Sequence, residues 1–123
     1  MDKIYIELYG AKWCGHCSTF KPEWDKMVKN CRRNELYSNF VFNYYDADLD
    51  KNKIDRKIGR GLDIQGYPTI VMCKGKNEVK EYDGERTEEE ILKAANKFYK
   101  RQKGGNINTI KGNGFTYYSN KRT

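Results

Sequence analysis

The residues most capable of chemistry in this chain gather in the run Trp13-Cys14-Gly15-His16-Cys17. Two cysteines separated by two residues follow an alternating apolar segment (Ile4, Ile6, Leu8) and open a helical one, the layout of a thiol–disulfide pair. The spacing sets both sulfurs in the first turn of a helix, where they can close a small disulfide ring. There the unpaired N–H groups and the positive end of the helix dipole stabilise an anion. The thiolate is the attacking form of cysteine, so Cys14 is the candidate nucleophile. His16, the only histidine in 123 residues, stands between the two. A polarisable or cationic ring at that place favours the reduced, thiolate form and makes the disulfide a stronger oxidant.

Two other uses of such a pair fit less well. A zinc site, with His16 as a third ligand, wants a second ligand pair at matching spacing, and Cys31 and Cys73 stand singly. A purely structural disulfide across so short a ring removes little chain entropy and stabilises only weakly. Cys31 and Cys73 fall at inward positions of a helix and a strand, where a cysteine acts as a small hydrophobe. At an exposed strand end Cys73 would instead be a regulatory or dimerising thiol.

The pair needs a strand to deliver it and a helix to hold it. Ile4 to Tyr9 alternates and predicts a central strand. From Cys14 to about Cys31 the apolar residues Cys17, Phe20, Trp24, Met27, Val28 and Cys31 recur at steps of three and four, a helix with one inward face. Pro22 lies inside it and predicts a kink. Phe40 to Tyr45 predicts a parallel strand, and Asp50 to about Gly59 a short helix with Ile54 and Ile58 inward. Thr69 to Cys73 and Val79 to Tyr82 predict strands joined by the hairpin signal Lys74-Gly75-Lys76-Asn77. Thr87-Glu88-Glu89-Glu90 is a capping box opening a last helix whose inward residues are Ile91, Leu92, Ala95, Phe98 and Tyr99.

Glu7-Leu8-Tyr9, Ala11, Trp13 to Cys17 and Pro22 together resemble the active-site strand and helix of protein disulfide isomerase domains, within the thioredoxin superfamily. Tyr45-Asp46-Ala47, Gly66-Tyr67-Pro68-Thr69 and Tyr82 to Thr87 match later landmarks of that family in the right order, so the resemblance runs from about Ile4 to about Tyr99. It implies a thioredoxin-like α/β fold. A full thioredoxin domain carries one more strand and helix ahead of the active-site strand, and only Met1 and Asp2 precede it here. The expectation is therefore a trimmed βαβαββα core with a mixed four-stranded sheet in the order 2-1-3-4. Such trimming exposes the edge of strand Phe40–Tyr45, a pairing liability. Residues 1–103 are expected to form the redox domain and 104–123 a C-terminal extension. Ile107 to Ile110 and Phe115 to Tyr118 would add a hairpin there, or the extension is a Gly/Asn-rich flexible tail.

The resemblance also implies roles. Cys14 attacks substrate disulfides or takes electrons from substrate thiols, and Cys17, one turn deeper, resolves the mixed disulfide. Glu7 matches the buried acid that accepts or relays the Cys17 proton, whereas strand alternation alone leaves it an exposed carboxylate on the face opposite Ile4, Ile6 and Leu8. Arg86 matches an arginine that approaches the second thiol, and its other reading is a surface cap residue. Pro68 looks like the family's cis-proline, which leaves backbone groups of Tyr67 for the substrate chain and keeps metal off the thiols. Trp13 and Gly15 complete the substrate-facing rim. The link Tyr9-Gly10-Ala11-Lys12-Trp13 is one residue longer than is usual in the family, and Gly10 is expected to absorb the excess as a bulge. Lys12 stands where the isomerases commonly have Pro and adds a screened positive charge near the thiols.

At this length one domain with a single core is expected. Aromatics make up 14% and supply much of that core, since mean hydropathy is −0.99. The net charge of +7 and pI near 9.2 favour acidic protein substrates by steering. Lys97, Lys100, Arg101, Lys103, Lys111, Lys121 and Arg122, with Tyr117 and Tyr118, resemble a nucleic-acid surface in composition. No nucleic-acid motif accompanies them, which favours a solvated helix end and polar tail. No run is long enough to span a bilayer, and no apolar leader follows Met1. The expected location is cytoplasmic, or a virion if the chain is viral. The endoplasmic reticulum lumen fits only if a signal has been removed. The reading is a thiol–disulfide oxidoreductase of disulfide isomerase or oxidase type, needing no cofactor or metal. Its partners would be cysteine-containing proteins and a glutathione or protein redox partner. The alternatives are a thioredoxin-like reductase and a non-catalytic binding module that uses the basic surface.

Overall fold

The computed structural model describes residues 3–75, 78–100 and 115–117, the last three as backbone alone. The elements run β1 (Ile4–Gly10), α1 (Gly15–Arg32), a 3-10 turn (Glu35–Tyr37), β2 (Phe40–Asp46), α2 (Lys51–Gly59), β3 (Thr69–Lys74), β4 (Glu78–Tyr82), α3 (Glu88–Lys100) and β5 (Phe115–Tyr117). The sheet order is β2-β1-β3-β4-β5, so the expected 2-1-3-4 core is present with one strand added. β1 and β2 are parallel, and every other neighbouring pair is antiparallel. The added strand lies against β4 rather than β2, and β2 pairs with β1 alone among the described residues. Its possible hairpin mate, Ile107 to Ile110, lies outside the described residues.

Alternation along β1 sorts the interior into two faces. Ile4, Ile6 and Leu8 meet Phe20, Trp24, Met27 and Cys31 of α1 and Ile91, Ala95 and Phe98 of α3 in the main core. Tyr9 points the other way and packs with Val71 and with Ile54 of α2. Both faces of the central strand are covered, which is why Tyr9 and Glu7 are buried as well as the aliphatic residues.

Helix α1 runs through Pro22 and buries the inward set with Val28 partly covered. On α2 the expected Ile54/Ile58 stripe is not the buried one. Ile58 is 43% exposed, and the face toward the sheet pairs Ile54 with Lys57, whose Nζ lies over the Tyr45 ring and reaches Glu7. A helix presents i and i+3 as readily as i and i+4, and here a basic side chain has a buried acid to meet. Helix α3 opens with the Glu90 N–H donating to Thr87 Oγ1 at 3.2 Å and the Glu88 N–H donating to Glu23 Oε2 of α1 at 2.8 Å. Its far end draws in two buried cations. Lys74 donates to the Phe98 carbonyl at 2.9 Å, and Lys80, 1% exposed, lies over the Phe98 ring at 4.4 Å. The negative end of the helix stabilises both.

Candidate active site

Cys14 is the N-cap residue of α1, in extended backbone conformation, with its Sγ accepting from the Cys17 N–H at 3.3 Å. The thiol also lies 3.5 Å from the Tyr67 carbonyl, to which it donates. Cys17 sits one turn in and is 8% exposed. The two thiols are therefore unequal. Contact with the Cys17 thiol, the N–H groups of Cys17 and His16 and the charge of Arg86 hold Cys14 below the ordinary thiol range. Burial, then the neighbouring Cys14, pushes Cys17 up to about 11, while the Ala11 backbone and Arg86 pull the other way. His16 thus acts on Cys14 through its backbone N–H, and its side chain is exposed.

The strand-to-helix link differs from the expected bulge. β1 keeps an unbroken register with β2 through Gly10↔Asp46. The extra residue is taken up by a turn, closed where the Cys14 N–H donates to the Ala11 carbonyl at 3.2 Å. Gly10 serves a different need. A Cβ there would stand 3.1 Å from Tyr44 Cε1, 3.2 Å from the Tyr44 hydroxyl and 3.6 Å from Cys17 Sγ, so the missing side chain is what lets that ring and sulfur close over the strand. Lys12 is exposed, and its charge acts on Asp46.

Opposite Cys14 the Tyr67–Pro68 peptide is cis, as the resemblance implies. Thr69 Oγ1 donates to the Gly66 carbonyl at 2.6 Å and ties that loop to the start of β3. Trp13 is 66% exposed, its indole N–H donating to Asp48 Oδ2 at 3.1 Å and its ring edge-on to Tyr67 at 5.9 Å. A Cβ at Gly15 would meet no atom within 4 Å, so the surface over the cysteines is open. Leu49, in the turn that carries Asp48, is 74% exposed, and no sequence pattern pointed to it.

Arg86 is an exposed residue of the β4–α3 loop, and its charge bears on both thiols. The loop is held where the Tyr82 hydroxyl donates to the Glu85 carbonyl at 2.5 Å, across a Gly84 that leaves no room for a side chain. Glu7 is buried, as the resemblance implies, but its contacts run away from Cys17. Its carboxylate accepts from the Tyr9 hydroxyl at 2.6 Å, meets Lys57 Nζ at 3.5 Å and lies 3.9 Å from the Cys73 thiol. Glu7 pairs in register with Asn43 and Val71 and so shares the α2 face of the sheet, whereas Cys17 belongs to α1 on the other face. These residues border a cavity of about 540 Å³ that also touches Tyr5, Arg60 and Leu62. Burial and the Glu7 charge push Cys73 up to about 12, and burial pushes Cys31 up to about 11. Neither has the environment of a reactive thiol, and Cys73 is not the exposed strand-end thiol of the alternative reading.

The fold matches known proteins. The thioredoxin family model matches residues 1–97, and the chain belongs to that family. Mouse protein disulfide-isomerase A4 is 36% identical over 95 residues, which span 74% of this chain and 13% of that protein. Human protein disulfide-isomerase A6 is 33% identical over 95 residues, 76% of this chain and 19% of the relative. The solution structure of the first thioredoxin domain of mouse protein disulfide-isomerase A4 superposes with a TM-score of 0.63 at 26% identity, covering 85% of this chain and 69% of that one. The chain thus corresponds to one thioredoxin domain and spans a small fraction of the length of these curated relatives. Among the described residues no helix is long and apolar enough to cross a membrane, and no three His, Cys, Asp or Glu side chains are grouped to hold a metal ion.

Proposed function

We propose that this chain is a thiol–disulfide oxidoreductase acting on protein disulfides through Cys14 and Cys17. The observation that carries the reading is the inequality of two adjacent thiols, one at a helix N-cap with its anion stabilised and one buried a turn below. The Cys14 thiolate attacks a substrate disulfide, forms a mixed disulfide and releases the first substrate thiolate. The Cys17 thiolate then attacks Cys14 Sγ, forming the Cys14–Cys17 disulfide and releasing the second; run backward, the same steps donate a disulfide. Arg86 stabilises both thiolates, and the His16 N–H supports that of Cys14. Trp13, Gly15, Leu49 and Tyr67, beside Pro68, receive an extended chain around its cysteine. The substrates are cysteine-containing proteins, with glutathione or a protein dithiol resetting the pair. Similarity to protein disulfide-isomerases A4 and A6 favours isomerase or oxidase action over reduction. Residues 1–103 form the working domain and 104–123 an extension that adds β5 to it.

The test is the Cys14–Cys17 equilibrium in glutathione buffers, followed by alkylation and mass shift. A potential near about −180 mV is expected and marks a donor or shuffler of disulfides. A value near about −270 mV would make the protein a thioredoxin-like reductase. A Cys14→Ser, Cys17→Ser double variant that keeps full biological activity would favour a binding module instead.

A further inference from the structure

Resolution of the mixed disulfide requires Cys17 to lose a proton from a buried position, and the resemblance points to Glu7 for that proton. The structure puts a different acid on the correct face. Tyr44 pairs in register with Leu8, and Asp46 with Gly10, so both project to the α1 side of the sheet. The Tyr44 hydroxyl and Cys17 Sγ close over the same point above Gly10. Asp46 is 2% exposed. Its Oδ1 accepts from the Asp48 and Leu49 N–H groups at 2.9 and 3.0 Å, while its Oδ2 is buried with no donor at hydrogen-bond distance among the described residues. The Tyr44 hydroxyl bears on that carboxylate and on Cys17 without closing a full hydrogen bond. Such bonds commonly tighten only when the reacting complex forms.

We propose that Tyr44 and Asp46 are the proton exit from Cys17. The inference rests on the oxidoreductase reading and assigns its second step. As Cys17 attacks, its thiol proton passes to the Tyr44 oxygen and the Tyr44 proton passes to Asp46. The new bond is Cys17 Sγ–Cys14 Sγ, the broken one is Cys14 Sγ–substrate sulfur, and the departing thiolate is protonated from solvent or by return of the same proton. Several charges face this path. Lys12 and Asp50 act at Asp46, Lys21 lies over the Tyr44 ring at 4.7 Å, and Arg86 and Cys14 act at Cys17. A tyrosine hydroxyl between a thiol and a carboxylate suits a relay, because it donates and accepts at one oxygen, and Tyr44, 36% exposed, also opens that path to solvent.

The test uses the full chain, reduced and mixed with oxidised glutathione, with acid quenching and mass detection of the glutathione mixed disulfide and of the internal disulfide. Tyr44→Phe and Asp46→Asn are each expected to slow the second step relative to the first by about a hundredfold, the low end for general-base catalysis. Each should also make that step rise with pH where the wild type has levelled off. Asp46→Asn also touches the 46–50 turn, whereas Tyr44→Phe removes one hydroxyl, so Tyr44→Phe decides, with thermal unfolding as the check on folding. Resolution at the wild-type rate in Tyr44→Phe, or slowing by Glu7→Gln alone, overturns the proposal and leaves the oxidoreductase reading standing. A wild-type chain that forms neither the mixed disulfide nor the internal disulfide overturns that reading and this inference with it.

Discussion

At the scale of single residues, four cysteines of one chemical type stand in different surroundings. Only Cys14 has donors aimed at its sulfur and a face open to solvent. Iodoacetamide should therefore modify Cys14 at neutral pH well before Cys17, Cys31 or Cys73, as peptide mapping after timed quenching would show. Arg86→Gln removes a charge that lowers both thiols, so the pH dependence of Cys14 alkylation should move upward; an unmoved curve would mean that solvent screens the guanidinium. The buried thiols carry a second consequence. Cys17, Cys31 and Cys73 have folded values of about 11, 11 and 12 against an ordinary 9.0. Raised values favour the neutral thiol in the folded state, so their contribution is complete below pH 9 and is lost as pH climbs through 11. Tyr82, at about 12, has the same sign. Urea unfolding of the reduced protein should give a falling midpoint from about pH 9 upward, and a flat profile would contradict the burial of these groups.

At the scale of elements, the site depends on α1 being held end-on to β1. Met27, fully buried in mid-helix, is the anchor. Met27→Ala should cost about 2–5 kcal/mol in equilibrium denaturation, because the surrounding core can only partly collapse into the space. Thr87→Ala at the start of α3 should cost about 1 kcal/mol, the ordinary value of an N-cap oxygen. A loss near zero there would show that Glu23, bonded to the Glu88 N–H, is the working cap. These elements were legible in the sequence because apolar spacing repeats with the period of the structure that buries it. The inward face of α2 was not. Ile54 and Ile58 satisfy the period, but Lys57 turns inward because Glu7 lies on that face of the sheet, a fact of register between distant segments.

At the scale of the whole molecule, the formal charge of +7 is expected to act on encounter rather than on chemistry. Reduction of an acidic disulfide peptide should slow between about 0.05 and 0.5 M salt, while a neutral peptide of the same length changes little, since screening shortens the reach of the field. Equal salt responses for the two peptides would place the charge outside the approach path.

The sequence by itself determined the order of elements and the place of the CxxC pair between them. A CxxC between a strand and a helix, a Tyr-Pro ahead of a strand and a capped last helix are local patterns, and local patterns carry their own physics. The tertiary structure alone decided which groups surround each sulfur. It put Glu7 behind the sheet with Lys57 and Cys73, brought the Tyr44 hydroxyl and Cys17 Sγ together over Gly10, let the charge of Arg86 bear on both thiols and set β5 on the β4 edge. Alternation says that two residues of a strand face opposite ways, but not which helix covers which face. That choice is made by packing between segments far apart in the chain.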